Sequence, residues 1–229
     1  MNLLIPDFGN QQTLEQLSSY AIGVVLVVSI LMAGCHRLET MVRLFAVQSL
    51  GLIVVLLFAG LISRNTGTIT FCGITFLAKC ILIPTILMFV LQNIHIDRQI
   101  ETYIGLPTSM LIACILTALI FQTIPKFGVE KEIHVLSSGL LSTSISMIVI
   151  GLFIMMTRKK AFVQILGLYV MENGIFALTI DTIFEMPHVV EMGIFLDLLI
   201  GAIVMGVWVY RIRQSFETIN VEEMKELKG

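Results

Sequence analysis

Apolar runs of about 20 residues recur along the whole chain and are separated by short polar connections. At about 1.5 Å of rise per helical residue, each run is long enough to cross a hydrocarbon core of roughly 30 Å. Seven spans can be drawn: Leu17 to Cys35, Leu44 to Ile62, Ile69 to Leu91, Ile104 to Ile124, Val135 to Met156, Ala161 to Phe184 and Val189 to Tyr210. The pattern predicts an all-α, polytopic membrane protein. The longest internal connections are Gln92 to Tyr103 and Pro125 to His134. The second of them separates four helices from three, which gives an N-terminal part at 1–134, a three-helix part at 135–212 and a polar tail at 213–229.

Composition agrees with this reading. The chain is 57% hydrophobic and 13% charged, with a mean hydropathy of +0.96; soluble domains carry about 25% charged residues, so a water-soluble globule is excluded. A net charge of -2 without any dense Lys/Arg block gives no support to nucleic-acid binding. Basic residues do orient the spans. One set of connections and the tail collect Arg37, Arg43, Arg98, Arg158, Lys159, Lys160, Arg211, Arg213, Lys225 and Lys228, and the other set holds Arg64, Lys126 and Lys131. Because basic residues concentrate on the cytoplasmic side, ten against three predicts seven crossings with the N-terminus outside and the tail in the cytoplasm. Residues 1–20 contain no Lys or Arg, so no cleavable leader is expected. No internal repeat of the kind built into many transporters is visible.

Cys35, Cys72, Cys80 and Cys114 fall in or at the ends of apolar runs without a CxxC spacing and read as small hydrophobes. His36, His95, His134 and His188 lie near span ends without HxxxH or HExxH spacing, so no metal site is expected from this chain.

Three ionisable residues stand where charge is expensive. Lys79 is near the middle of its span in TFLAKCILIP, Glu172 is central in GLYVMENGIFAL, and Asp197 is close to the centre of EMGIFLDLLIGAIVMG. Each costs about 2.5 to 3.5 kcal/mol if left facing lipid, so all three must face protein or water. They read either as buried polar groups that fix helix register or as an acid and base series able to pass protons where water links the steps.

Neighbouring residues supply context for both readings. Pro84 has no backbone donor, which predicts a helix kink one turn beyond Lys79. Tyr169, Glu172 and Asn173 share a helix face by their spacing. Gly193 and Gly201 lie four residues before and after Asp197 on one stripe, where small side chains permit close helix packing. Glu191, six residues before Asp197, is off that stripe but could be a further step of the same path. Asp181 and Glu185 read as a solvated external loop or an acidic mouth. The hydroxyl set Ser137, Ser138, Ser142, Thr143, Ser144 and Ser146 reads as helix-packing glue rather than as a water wire.

Two segments resemble a known family. RKKAFVQILGLYVMENG, Arg158 to Gly174, resembles the second helix of the K subunit of respiratory complex I, and LDLLIGAIVMGVWVYRI, Leu196 to Ile212, is similar to that subunit's third helix. FLAKCILIP, YVMENG, EMGIFLD and the terminal ELKG extend the likeness to the component E membrane subunit of hydrogenase-4 and formate hydrogenlyase-type complexes, nearly end to end.

The resemblance implies a non-redox subunit of a complex-I-like oxidoreductase of the inner (cytoplasmic) membrane. In such an assembly a soluble hydrogenase arm drives proton or sodium translocation, next to antiporter-like membrane subunits. No haem, iron-sulfur, flavin or nickel ligand set is visible in the sequence, so no cofactor is expected in this chain; the resemblance implies a nickel-iron centre and iron-sulfur clusters in partner subunits. By the same resemblance, Asp197 stands at the K subunit's third-helix glutamate. Tyr169 stands at the second-helix glutamate, with the carboxylate one turn later at Glu172. Lys79 has no counterpart in the K subunit and would lengthen or gate the proton path. Two other readings stand beside this one, a purely structural anchor of the complex and a free-standing ion or small-solute transporter.

Overall fold

The computed structural model describes residues 11–63, 72–93, 100, 102–127, 139–182 and 201. The chain divides into two compact units, Met1–Val190 and Glu191–Gly229. Six helices make up the described part of the first. They are α1 (Gln11–Ala33), α2 (Leu38–Ser63), α3 (72–93), α4 (Leu106–Thr123, continued by a 3-10 turn Ile124–Phe127), α5 (Leu140–Thr157) and α6 (Ala161–Thr182). All six contain stretches long and apolar enough to cross a membrane, and the chain is a multi-pass membrane protein. Among the described residues there is no strand, only an isolated antiparallel bridge between Thr102 and Arg158. The seventh expected span, Val189 to Tyr210, lies outside the described residues apart from Gly201.

Because these helices are apolar on nearly every side, apolarity cannot decide which face turns inward; small and hydroxyl-bearing residues do. The buried side of α5 carries Ser142, Thr143, Ser144, Ser146 and Gly151 among Leu140, Met147, Ile150 and Ile154. The Ser144 and Ser146 hydroxyls donate to the Leu140 and Ser142 carbonyls of their own helix, each at 2.7 Å. Polarity is thereby satisfied locally, and a smooth face is left for α6.

Glycine sets the distance between these two helices. A Cβ on Gly151 would stand 2.6 Å from the Met171 nitrogen and 2.7 Å from the Gly167 oxygen, and one on Gly174 would stand 2.8 Å from the Ile148 nitrogen. The two backbones therefore touch, and α6 has one rotation available against α5. In both helices 61% of the spanning stretch is buried, against 17% for α4, so α5 and α6 form the centre and α4 the periphery.

Three connections meet at one end of the bundle. The Ile100 N–H donates to the His36 carbonyl at 3.0 Å, and the Tyr103 N–H donates to the Thr157 carbonyl at 3.1 Å. This joins the α1–α2, α3–α4 and α5–α6 connections, as strict alternation of crossings requires. Arg158 is buried there at 1% exposure and donates through Nη2 to the Ala33 carbonyl, where the last turn of α1 leaves carbonyls without helical partners. Its own carbonyl accepts from Gln164 Nε2 at 2.9 Å. Burial pulls the guanidinium below its usual pKa. The Lys159 ammonium lies 5.2 Å from the Tyr103 ring centre.

Candidate functional site: a buried lysine–glutamate pair

The third helix is irregular where its charge is. Leu77–Leu82 forms a π-helical turn closed by the Ile83 N–H on the Ala78 carbonyl, and Pro84, the next residue, offers no N–H in any register. The sequence predicts a kink one turn beyond Lys79. At that place the structure has a widened turn that contains Lys79 and ends before the proline. An extra residue in a turn rotates what precedes it by about 100°, so the π turn bears on which neighbour Lys79 meets.

Lys79 meets α6. Its Nζ lies 2.6 Å from Glu172 Oε1, and the two side chains are 2% and 4% exposed. Nζ also donates to Asn173 Oδ1 at 3.1 Å and stands 4.8 Å from the centre of the Phe176 ring. Residues 172, 173 and 176 fall on adjacent strips of one helix face, so a single stretch of α6 supplies a carboxylate, an amide oxygen and an aromatic face to one cation. Two of the three mid-membrane charges thus lie in ion-pair contact between a helix of the N-terminal part and one of the C-terminal part.

The pair is held in a wider polar chain. Asn173 Nδ2 donates to Ser49 Oγ at 3.1 Å and to Gln48 Oε1 at 3.3 Å. Gln48 Nε2 donates to Ser29 Oγ at 2.7 Å, and the Ser29 hydroxyl donates to the Val25 carbonyl at 2.7 Å. Ser29, Gln48, Ser49 and Asn173 are all at 0% exposure. The chain therefore joins α3, α6, α2 and α1 through the interior. Sequence reasoning missed Ser29, Gln48, Ser49 and Phe176. A usable signal was present in LFAVQSLGLIVV, where a glutamine inside a transmembrane run must find a partner on another helix.

Tyr169 is buried, and its ring packs on Phe45 of α2, with centroids 5.3 Å apart and planes tilted by 41°. Asp197, Glu191 and Gly193 lie outside the described residues, as do Glu185 and the side chain of Asp181. Gly201 is half-buried, and a Cβ there would meet nothing within 4 Å.

Among the described residues no three His, Cys, Asp or Glu side chains come together as a metal site. Cys35, Cys72, Cys80 and Cys114 are free thiols. Two oppositely charged groups at hydrogen-bonding distance in a site with little solvent exposure can exchange and hold a proton, and their charge state feels any change in nearby hydration.

A helical membrane bundle built around a buried Lys–Glu pair is the class these observations define. Residues 139–229 match the family described as NADH-ubiquinone/plastoquinone oxidoreductase chain 4L. The chain is similar along nearly its whole length to hydrogenase-4 component E of Escherichia coli (strain K12), with 22% identity over 210 residues, 90% of this chain and 95% of that one. It is also 28% identical over 215 residues to an uncharacterized protein of Mycobacterium tuberculosis (strain ATCC 25618 / H37Rv), covering 93% of this chain and 96% of the relative. No solved structure matches. The resemblance read from the motifs is thus borne out, both in its C-terminal part and along the chain. The matched region contains Glu172 and Asn173; Lys79 precedes it.

Proposed function

We propose that this chain is a non-redox membrane subunit of a complex-I-like, group 4 hydrogenase-type oxidoreductase, and that it contributes to ion translocation through the Lys79–Glu172 pair. The contact of 2.6 Å between two charges with almost no solvent exposure carries this reading. Ionisable groups inside membrane helices mark functional sites by default, ion and proton paths among them. The similarity to hydrogenase-4 component E and to chain 4L supports the setting. In it, a soluble hydrogenase arm carries the nickel-iron centre and iron-sulfur clusters, and antiporter-like subunits lie alongside in the inner membrane.

In this reading Asp197 and Glu191 continue the path from Glu172 on the seventh helix, and Tyr169 and Asn173 line it. The N-terminus is outside and the tail cytoplasmic, as the distribution of basic residues suggests. The three-helix part at 135–212 carries the chain 4L-like role, and 1–134 adds the lysine.

A structural anchor is the second reading. Its support is the polar chain from Lys79 to Val25, whose chief effect would then be to fix the register of four helices. The discriminating experiment is proton uptake by proteoliposomes holding the whole complex, normalised to hydrogenase turnover and to assembled complex, with Lys79→Met and Glu172→Gln. A reduced ratio in assembled complexes supports translocation. A wild-type ratio with lowered complex yield overturns it in favour of the anchor.

A further inference from the structure

The chain of hydrogen bonds beside the pair has a direction that can be worked out from its far end. The Val25 carbonyl can only accept, so the Ser29 hydroxyl spends its one proton there at 2.7 Å. Ser29 Oγ is then left to accept, and Gln48 must turn its amino group toward it. That places Gln48 Oε1 against Asn173, which must in turn offer Nδ2. The Asn173 oxygen is left for Lys79. Each step removes one of the two orientations open to an amide. Ser49 does not select between them, because a hydroxyl can donate or accept.

We propose that Gln48, backed by Ser29, is a positioning residue for the buried pair: it fixes the Asn173 carboxamide with its oxygen, not its nitrogen, toward Lys79. An ammonium has donors and no acceptor, so a reversed Asn173 would set donor against donor. The acceptor holds the ammonium in place for Glu172. The functional weight of this device rests on the reading of Lys79–Glu172 as the translocating pair.

Among the described residues, the following ionisable and polar groups contact Lys79 or lie close to it on the same or a neighbouring helix. On α6, Glu172 is in contact and Tyr169 lies one turn away against Phe45. On α3, Cys80 is adjacent and Cys72 lies two turns earlier. Helix α2 brings the neutral Gln48 and Ser49.

The test is chemical labelling of the intact complex in membranes. A membrane-permeant anhydride acetylates only the uncharged amine, and the rate at Lys79 is read by peptide mass spectrometry at pH 8. Alkylation of Cys80, the next and more exposed position of α3, by N-ethylmaleimide controls for a general opening of that helix turn. With Gln48→Met or Ser29→Ala the rate at Lys79 relative to Cys80 rises about tenfold, the effect of losing one charge-assisted acceptor. Ser29→Thr keeps the hydroxyl and the wild-type ratio. Asn173→Asp combined with Gln48→Met restores it, because a carboxylate presents oxygen whichever way it turns.

An unchanged ratio in Gln48→Met, a parallel rise at Lys79 and Cys80, or no restoration by Asn173→Asp overturns the proposal. Labelling does not depend on ion transport. Normal pumping by Lys79→Met would therefore sink the proposed function while leaving the role of Gln48 to be decided by the labelling alone.

Discussion

A double-mutant cycle on Lys79 and Glu172 tests whether the pair is one energetic unit. At a contact of 2.6 Å and an effective dielectric of about 20, the attraction is roughly 6 kcal/mol. Removing two charges from water costs several kcal/mol for each. These terms nearly cancel, so the net value of the intact pair is small, while breaking it is expensive because one buried charge is left without its counter-ion. Lys79→Met or Glu172→Met alone should therefore cost about 3 to 5 kcal/mol, and the double substitution should fall within about 1 kcal/mol of wild type or above it. Met keeps most of the volume at both positions. The assay is unfolding of the full chain by SDS titration in mixed micelles, which gives the four stabilities on one scale. Additive effects, with a coupling below about 0.5 kcal/mol, would refute the argument by placing each residue among partners of its own.

Three other outcomes can be checked separately. Gly174→Ala, which drives a Cβ to 2.8 Å from a backbone nitrogen of α5, should destabilise the chain by roughly 1 to 3 kcal/mol in the same titration, whereas Gly73→Ala, with nothing within 4 Å, should stay within about 0.5 kcal/mol. Arg158→Met removes the donor on the last turn of α1 and should speed amide hydrogen exchange at 31–37 by about fivefold to thirtyfold, with Ser144 and its neighbours on α5 unaffected; equal exchange in the two proteins would deny Arg158 a role in holding that helix end. Asp197→Asn in the assembled complex should lower proton uptake per hydrogenase turnover without lowering yield, and an unchanged ratio would remove Asp197 from the path.

The helices were legible because length and apolarity suffice to define a span, and six of the expected spans reappear as helices with ends moved by a few residues. The fourth begins at Leu106 with a proline in its first turn, a cue present in the sequence, whereas Leu140 as the start of α5 follows no visible signal. The charged pair was half legible. That Lys79, Glu172 and Asn173 need partners follows from the cost of burying them, and the face shared by Glu172 and Asn173 follows from helical spacing. That Lys79 is their partner does not follow, because it depends on the π turn and on how α6 rotates against α5. The rotation is set by Gly151, Gly167 and Gly174, and glycines in apolar helices are too common to be singled out by sequence. Gln48 and Ser29 were passed over because neutral polar residues do not stand out in a run of Val and Leu.

The cation and the carboxylate of the pair come from different parts of the chain. Glu172 and Asn173 lie inside the region that matches chain 4L, residues 139–229, whereas Lys79, Gln48, Ser49 and Ser29 all precede it. A fragment comprising only the matched region would keep the carboxylate and lose both the Lys79 ammonium and the residues that orient Asn173. Retaining a charged Glu172 there would cost several kcal/mol. Helices α1 to α3 are thus a necessary part of the site. Expression of residues 135–229 alone should therefore yield a protein whose stability is raised by Glu172→Gln, the opposite of the effect in the full chain, since in the fragment the substitution removes a buried charge that has lost Lys79 and in the full chain it breaks the pair. The comparison is made by SDS titration of both proteins with and without the substitution. A Glu172→Gln effect of the same sign in the two would mean that Lys79 does not supply the counter-charge.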